Sequence, residues 1–176
     1  QPLRSGGYEF DPTIYMDVCS PIGRGCASSA WVLLNYAAHA HFLAQCDVRV
    51  QDEIWGVDAD AFVASSYIFA GKATPVDGGY RLTGRWPFSS GINHATWVIV
   101  GAIVPSPEGS AQENRYFVLP ASDYAVHDVW NVVGLKGTGS NDLTCDGAFV
   151  PAYRTLSFGD LAGGTGPGLS VLRNPV

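Results

Sequence analysis

Apolar positions recur at helical spacing up to about residue 57 and at strand spacing from about residue 58 onwards. Asp11 followed by Pro12 is a favourable helix start, because the Asp side chain caps free N–H groups and the proline ring is tolerated at the first helical position. We expect Pro21 to kink or end this helix. Two further helices are predicted, a buried one from Ala30 to about Gln45 capped by Ser28 or Ser29, and a short one capped by Asp47 that stops before Gly56.

The second part of the chain has the pattern of strands and turns. The strand candidates are residues 62–69, 80–86, 96–104, 115–119, 124–130 and 143–150. Asp77-Gly78-Gly79 is a strong hairpin signal between the first two, and residues 96–104 are apolar enough to be buried on both faces. Six or more short strands favour a closed or sandwiched antiparallel barrel, so the predicted fold class is α+β. After Tyr153 the chain is rich in glycine, as expected of a linker.

Composition narrows the function. The 176 residues suffice for one ordinary domain or parts of two, and the formal net charge of −6 argues against a nucleic-acid partner. No run is long and apolar enough to span a membrane. The chain lacks both an initiator Met and a signal peptide, so we expect it to begin inside a longer, cytoplasmic protein. Its four cysteines are scattered, which favours reduced thiols over a disulfide framework or a metal site.

Residues 84–95, Gly-Arg-Trp-Pro-Phe-Ser-Ser-Gly-Ile-Asn-His-Ala, carry the densest candidate chemistry. Trp86 and Phe88 supply apolar walls, and Ser89 and Ser90 supply hydroxyls where the strand ends. Such walls beside a few fixed polar groups suit a planar, partly polar ligand. His94 either joins these groups or holds the turn together.

Trp31 and His39 lie eight residues apart on the second predicted helix and therefore share a face. His39 is either a core histidine satisfied by a backbone carbonyl or the hydrogen-bond partner or base for a phenol, with Trp31 as a pocket wall. Ser65 and Ser66 leave opposite faces of their strand, so at most one faces a given pocket. Small sheet residues without a chemical role are the alternative for this pair.

Other chemistries fit less well. A serine hydrolase needs a G-x-S-x-G elbow, which the sequence lacks. Residues 134–140, Gly-Leu-Lys-Gly-Thr-Gly-Ser, superficially resemble a phosphate-binding loop. They lack the Lys-Ser/Thr ending of a P-loop and lead into a strand, which disfavours nucleotide triphosphates.

Several segments together resemble the flavin-dependent monooxygenases built on the acyl-CoA dehydrogenase fold, the oxygenase components of two-component phenol hydroxylases that act on para-hydroxyphenylacetate or 3-hydroxy-secosteroids. The matching segments, in the family's order, are residues 1–8, 24–32, 53–56, 78–91, 134–140 and 149–151. The resemblance implies that residues 1–57 end an N-terminal helical domain, that 58–155 form the middle β-barrel that binds flavin, and that 156–176 lead into a C-terminal four-helix bundle, which is absent.

The resemblance also implies roles for single residues. His39 matches the helix histidine that contacts a phenolic substrate, with Trp31 and Ser65 beside it. Ser66 matches a neighbour of the flavin's pyrimidine edge. Ser89 and Ser90 fall where the family places a hydroxyl near flavin N5, ambiguous by one position, with Ser90 taken as the catalytic one. Trp86 and Phe88 are expected to pack beside the ring.

The implied reaction is ortho-hydroxylation of a small phenol by O₂ through a C4a-hydroperoxyflavin, with reduced FMN or FAD delivered by a separate flavin reductase and with a tetrameric assembly. Water must be kept from such a peroxide, which apolar walls achieve. Three alternatives stay open: an acyl-CoA dehydrogenase, an S- or N-oxidising monooxygenase of the same fold, and a truncated homologue without activity. The first is disfavoured because Ser66-Tyr-Ile-Phe-Ala-Gly71 and Trp86-Pro-Phe-Ser-Ser-Gly91 replace its Thr-Glu-Pro and Trp-Ile-Thr-Asn-Gly motifs.

Overall fold

A computed structural model describes residues 1–105 and 112–173 of the chain. Its helices are α1 (Ile14–Gly25), α2 (Ala27–Gln45), α3 (Val48–Trp55) and the short α4 (Phe158–Gly163). The predicted third helix is confirmed, because α3 ends before Gly56 and the Asp47 side chain accepts the Arg49 N–H at 2.9 Å. Such a cap is worth about 1 kcal/mol.

Three details of the helical part differ from the prediction. Of the two outcomes expected at Pro21, a kink or an end, the end is wrong: α1 continues to Gly25, and the Cys26 N–H still bonds the Ile22 carbonyl at 2.8 Å. Pro21 is solvent-exposed and removes a single helical bond, so the turns on both sides carry the helix through it. α2 then starts directly after Cys26, three residues earlier than predicted. Asp11 caps the turn before α1 rather than α1 itself, by accepting the Thr13 N–H.

The strands of the described residues are β1 (Val63–Val76), β2 (Gly79–Ser89), β3 (Trp97–Val104), β4 (Glu113–Pro120), β5 (Ala125–His127), β6 (Asn141–Pro151) and β7 (Thr155–Ser157). They form one sheet in the order β5-β6-β2-β1-β3-β4-β7. The predicted hairpin joins β1 to β2, and its Gly78 adopts φ +76°, the conformation that favours glycine. The strand predicted at 124–130 is confined to β5.

The antiparallel prediction fails for one pair, because β1 and β3 run parallel. The reason is topological. β2 returns the chain to the end of the sheet where β1 begins, so β3 starts beside Val63 and runs in the same direction as β1. The remaining neighbours are antiparallel.

The sheet curls around an apolar core. β4 and β6 are separated by three strands in the sheet order, yet Phe117 of β4 and Leu143 of β6 belong to the same buried cluster. Only a strongly curved sheet brings these strands together, as in a barrel. Within the described residues no pairing joins the edge strands β5 and β7, so the barrel is open there.

The helices cover the outside of the curved sheet. Ile99 faces α2 and α3, whereas its neighbours Val98 and Val100 face the barrel core. β3 is therefore buried on both faces, as its apolar sequence predicted. This packing fixes α2 over the part of the sheet where β1 and β3 begin.

The glycine-rich segment after Tyr153 is packed onto the domain over most of its described length. β7 pairs with β4, and the Ser157 hydroxyl caps α4 by accepting the Asp160 N–H at 2.9 Å. Gly168 lies against the Ala44 and Cys46 carbonyls at the end of α2, where any Cβ would collide with the backbone. Glycine is thus required there for close approach.

Candidate functional site

The end of β2 departs from regular strand geometry. Its register against β6 shifts between Trp86 and Ser89, which marks a bulge. Within the bulge Phe88 has φ +62°, a conformation that non-glycine residues rarely adopt, and 63% of the residue is exposed. Its ring packs edge-to-face on Trp130, with centroids 6.0 Å apart. An exposed aromatic side chain held in a strained conformation is a feature of ligand sites.

Ser90 joins two distant parts of the chain. Its Oγ accepts the indole N–H of Trp31 at 3.0 Å and lies 2.8 Å from Ser140 Oγ. The next residue, Gly91, donates its N–H to the Thr138 carbonyl at 2.8 Å and accepts the Tyr36 hydroxyl at 2.6 Å. The structure therefore brings together Trp31 and Ser90, which the sequence places 59 residues apart.

Trp86 and Ser89 are withdrawn from the surface. Trp86 is fully buried in the barrel core, where its indole N–H bonds the Gly101 carbonyl at 2.7 Å. The expectation that Trp86 packs beside a flavin ring is corrected, because its ring has no free surface. Ser89 is also fully buried, and its hydroxyl has no hydrogen-bond partner among the described residues. Of the two neighbouring serines, only Ser90 keeps exposed surface, 8% of the residue.

His39 and Ser65 form a second polar group between α2 and β1. The imidazole Nδ1 bonds the Val63 carbonyl and Nε2 lies 2.7 Å from Ser65 Oγ. Since a carbonyl only accepts, Nδ1 carries the proton and Nε2 accepts the Ser65 hydroxyl. His39 is 1% exposed, and this burial lowers its pKa from 6.5 to about 4, against the opposing effect of the Val63 bond.

Ser66 points away from this pair. Its hydroxyl donates to the Pro87 carbonyl at 2.7 Å, inside the bulge of β2. Ser65 and Ser66 thus leave opposite faces of β1, as strand geometry predicted. The candidate residues form two groups, one around the bulge and one around His39, both at the end of the sheet where β1 starts and β2 ends.

Sequence reasoning missed several residues of these groups. Tyr67 packs edge-to-face on His39 at 5.7 Å, and burial raises the pKa of its hydroxyl. The Trp130 ring packs against Phe88, and the Asn141 side-chain oxygen accepts the backbone N–H of Trp130 at 3.0 Å. Ser140 contacts Ser90. The glycine-rich stretch 134–140 was the available signal for Ser140, since it matches the family, but that match implied no role for Ser140 itself.

A cavity of about 430 Å³ adjoins the Ser90 group on another face of α2. Its walls come from the first half of α2, the residue before β1, the turn after Ser90 and the segment that precedes β6. The lining residues are Ser28, Ser29, Val32, Leu33, Tyr36, Phe62, Gly91, Asn93, His94, Lys136, Gly137, Thr138 and Gly139. The volume is within the range of small-molecule sites. His94 lies on its wall and is solvent-exposed.

Residues 1–105 and 112–173 contain no group of three or more His, Cys, Asp or Glu side chains placed to hold a metal ion. In the same ranges, every helix is too short or too polar to cross a membrane.

No family model matches the chain, but single known proteins do, and those named here are flavin-dependent hydroxylases or monooxygenases. The chain is 40% identical over 176 residues to the flavin-dependent monooxygenase oxygenase subunit HsaA of Rhodococcus jostii, covering 100% of the chain and 46% of that protein. It is 40% identical over 168 residues to the oxygenase component of an FADH(2)-dependent resorcinol hydroxylase of a Rhizobium species, covering 96% of the chain and 41% of that protein.

A solved structure extends the likeness to the fold. The crystal structure of 3-HSA hydroxylase from Rhodococcus sp. RHA1 matches with a TM-score of 0.93 at 40% identity, covering 100% of the chain and 45% of that structure. The chain therefore spans less than half the length of the relatives it matches. Over that shared length the chain is a relative of the oxygenase components of flavin-dependent monooxygenases with the acyl-CoA dehydrogenase fold, as its motifs indicated.

Proposed function

We propose that the chain supplies part of the flavin and substrate site of a two-component aromatic hydroxylase, which adds a hydroxyl group ortho to the hydroxyl of a small phenol through a C4a-hydroperoxyflavin. The observation that carries the proposal is the meeting of α2, the start of β1 and the end of β2. It places Trp31 against Ser90 and His39 against Ser65 at one end of the sheet. In the overall reaction one atom of O₂ enters the ring, the other leaves as water, and the reduced flavin loses two electrons.

The residues around the bulge suit a reduced flavin. Phe88 presents an exposed aromatic face, and Ser90 keeps some exposed surface beside it. Ser66 donates its proton to Pro87, which leaves its oxygen free to accept the flavin N3–H. When bound, the flavin supplies the electrons and activates O₂, and the protein binds, orients and shields it.

The Ser65–His39 pair suits the substrate hydroxyl. Ser65 donates its proton to His39 Nε2, so the Ser65 oxygen accepts the proton of a phenol placed beside it. The bond between His39 Nδ1 and Val63 fixes this orientation. Burial lowers the pKa of His39 to about 4, so the imidazole stays neutral at neutral pH. The pair therefore accepts a hydrogen bond from the phenol and does not remove its proton. Such a bond increases electron density on the ring, which favours attack at the ortho position.

The test uses the complete protein as its gene encodes it. We expect anaerobic titration to show binding of reduced FMN or FAD, and oxygenated turnover with phenols to give the catechol. Ser65→Ala and His39→Gln are expected to lower kcat for hydroxylation about 10- to 100-fold, as for loss of one hydrogen bond to a group whose charge changes. His41→Gln on the same helix is the matched control, because His41 has no place in the pair.

Each other outcome refutes part of the proposal. Reduction of the flavin by acyl-CoA would identify a dehydrogenase instead. Oxidation of sulfur or nitrogen compounds without attack on phenols would move the chemistry to another monooxygenase class. A protein that binds neither reduced FMN nor reduced FAD would be a non-catalytic homologue.

The proposal extends to partners. We infer that a separate flavin reductase supplies the reduced cofactor, so NADH alone should support no turnover until a reductase or chemically reduced flavin is added. The tetramer and the cytoplasmic location implied by the resemblance belong to the same proposal. Light scattering of the purified complete protein measures the assembly.

A further inference from the structure

A continuous chain of hydrogen bonds leads away from Ser90. Ser90 Oγ receives the Trp31 indole N–H at 3.0 Å and lies 2.8 Å from Ser140 Oγ. Ser140 Oγ lies 2.7 Å from Thr138 Oγ1, which lies 2.9 Å from the Leu135 carbonyl oxygen. Three hydroxyl groups therefore stand between an indole N–H and a backbone carbonyl.

The two ends of this chain fix the direction of every bond. The Leu135 carbonyl only accepts, so Thr138 donates its single hydroxyl proton to it. The Thr138 oxygen then takes the proton of Ser140, and the Ser140 oxygen takes the proton of Ser90. At the other end the Trp31 indole N–H only donates, and the Ser90 oxygen accepts it. The proton of Ser90 is thereby committed to Ser140, and one acceptor position on its oxygen stays open.

The acceptor end is held firmly. The Leu135 carbonyl oxygen also receives the Thr138 N–H at 3.1 Å and the Trp130 indole N–H at 3.1 Å. Leu135 has φ +55°, a left-handed conformation that costs about 1 kcal/mol or more outside glycine. These bonds hold that conformation, so the carbonyl is fixed in its orientation towards Thr138.

We propose that Ser140 and Thr138 are positioning residues that keep Ser90 as a hydrogen-bond acceptor for whatever binds beside it. The inference rests on the proposed function and on the position near flavin N5 that the family resemblance implies for Ser90. Reduced flavin carries a proton on N5 and donates to an acceptor, whereas oxidised flavin has only a lone pair there. If Ser90 can only accept at its open position, it forms a hydrogen bond with N5–H of reduced flavin. With oxidised flavin, the lone pair of N5 faces a lone pair of Ser90 Oγ, and the two repel each other. The hydrogen-bond chain thus makes the site selective for reduced flavin.

Thr138→Val tests this indirectly, because the Thr138 hydroxyl bonds Ser140 and makes no hydrogen bond to Ser90. Without the Thr138 hydroxyl oxygen as acceptor, Ser140 donates its proton to Ser90 instead. The Ser90 proton is then free to form a hydrogen bond with N5 of oxidised flavin. We expect the preference for reduced over oxidised flavin, measured as the ratio of the two Kd values, to fall about 3- to 10-fold, as for one neutral hydrogen bond. A tenfold change lowers the midpoint potential of the bound flavin by about 30 mV for two electrons.

Thr138→Ser is the matched control, since it keeps the hydroxyl and should retain the wild-type ratio. Ser140→Ala gives a second route to the same result, because it frees the Ser90 proton directly and should shift the ratio in the same direction. Both forms of flavin are titrated anaerobically into each complete protein, and the potential is read by spectroscopic redox titration with a reference dye.

The outcomes separate this inference from the function on which it rests. If Thr138→Val and Ser140→Ala bind flavin with the wild-type Kd ratio and potential, the positioning role is wrong and the proposed function stands. If wild-type protein binds neither redox form, the proposed function fails and this inference fails with it. A fall in the ratio for both variants, with Thr138→Ser unchanged, supports the inference.

Discussion

The buried His39 makes the stability of the protein depend on pH. Its pKa is lowered from 6.5 to about 4, chiefly by burial. In the unfolded chain the imidazole binds a proton as the pH falls below 6.5, whereas in the folded protein it stays neutral until about pH 4. The unfolded state therefore binds more protons in this window, and acidification destabilises the fold.

The size of the effect follows from linkage. One pH unit corresponds to about 1.4 kcal/mol for one proton. Relative to neutral pH, we expect His39 to lower the free energy of unfolding by about 2 kcal/mol at pH 5 and by about 3 kcal/mol at pH 4, with little further loss below. That is a large fraction of the stability of an ordinary domain.

Denaturant unfolding of the wild-type protein and of His39→Gln between pH 7 and pH 3.5 measures this loss of free energy of unfolding. Other titrating groups contribute equally to both proteins, so the difference between the two curves isolates His39. Ser65→Ala is the control for the cause, because it removes the bond to Nε2 and leaves the imidazole buried. Its pH dependence should follow that of wild type. Parallel curves for wild type and His39→Gln would refute the argument.

Three further predictions concern other parts of the chain. Gly84→Ala places a Cβ 2.7 Å from the buried ring of Trp86, so unfolding in denaturant should show a loss of about 1–3 kcal/mol. Glu53→Gln weakens the 2.6 Å ion pair with Arg154, which is partly buried, and should cost about 1–2 kcal/mol in the same assay. Cys26 is exposed and the pKa of its thiol is lowered, first by the Ser29 hydroxyl. Mass spectrometry should therefore find iodoacetamide on Cys26 before the three buried thiols.

Each of these predictions has a matched control. Gly25→Ala adds a Cβ with nothing within 4 Å and should leave stability nearly unchanged, so equal losses at both glycines would contradict the packing argument. A double-mutant cycle of Glu53→Gln with Arg154→Gln should give a coupling of about 1 kcal/mol, and additivity would show that the pair is inert. In Cys26→Ser the rapid labelling should disappear, and persistence of it would assign the reactive thiol elsewhere.

Most helices and strands could be predicted from the sequence, because the spacing of apolar residues and the identity of turn residues are local properties of the chain. The hairpin at Gly78 and the doubly buried β3 are examples. The parallel pairing of β3 with β1 was not readable, because it depends on where β2 returns the chain. The sequence left open whether α1 bends or ends at Pro21, because the loss of one helical bond does not by itself decide whether the turns on both sides hold the helix together.

The candidate site was predictable only as a list of residue types. Serines at the end of a strand and an aromatic residue on a helix face indicated a pocket, but their contacts depend on the tertiary fold. Trp86 and Phe88 have the same apolar character in the sequence, and the structure buries one and exposes the other. The β-bulge at the end of β2 makes that difference, and no local pattern indicated it.

Among the described residues, three non-glycine residues have positive φ, namely Glu9, Phe88 and Leu135, and the last two lie at the candidate site. Phe88 and Leu135 both adopt the left-handed conformation, and Trp130 contacts both: its ring packs perpendicular to the Phe88 ring, and its indole N–H bonds the Leu135 carbonyl. The exposed aromatic face and the hydrogen-bond chain to Ser90 are therefore fixed by the same side chain. Strain of this kind persists only where surrounding contacts determine the geometry. The geometry is thus built into the fold before any ligand arrives, which is the condition for Ser90 to distinguish a donor from an acceptor at its one open position.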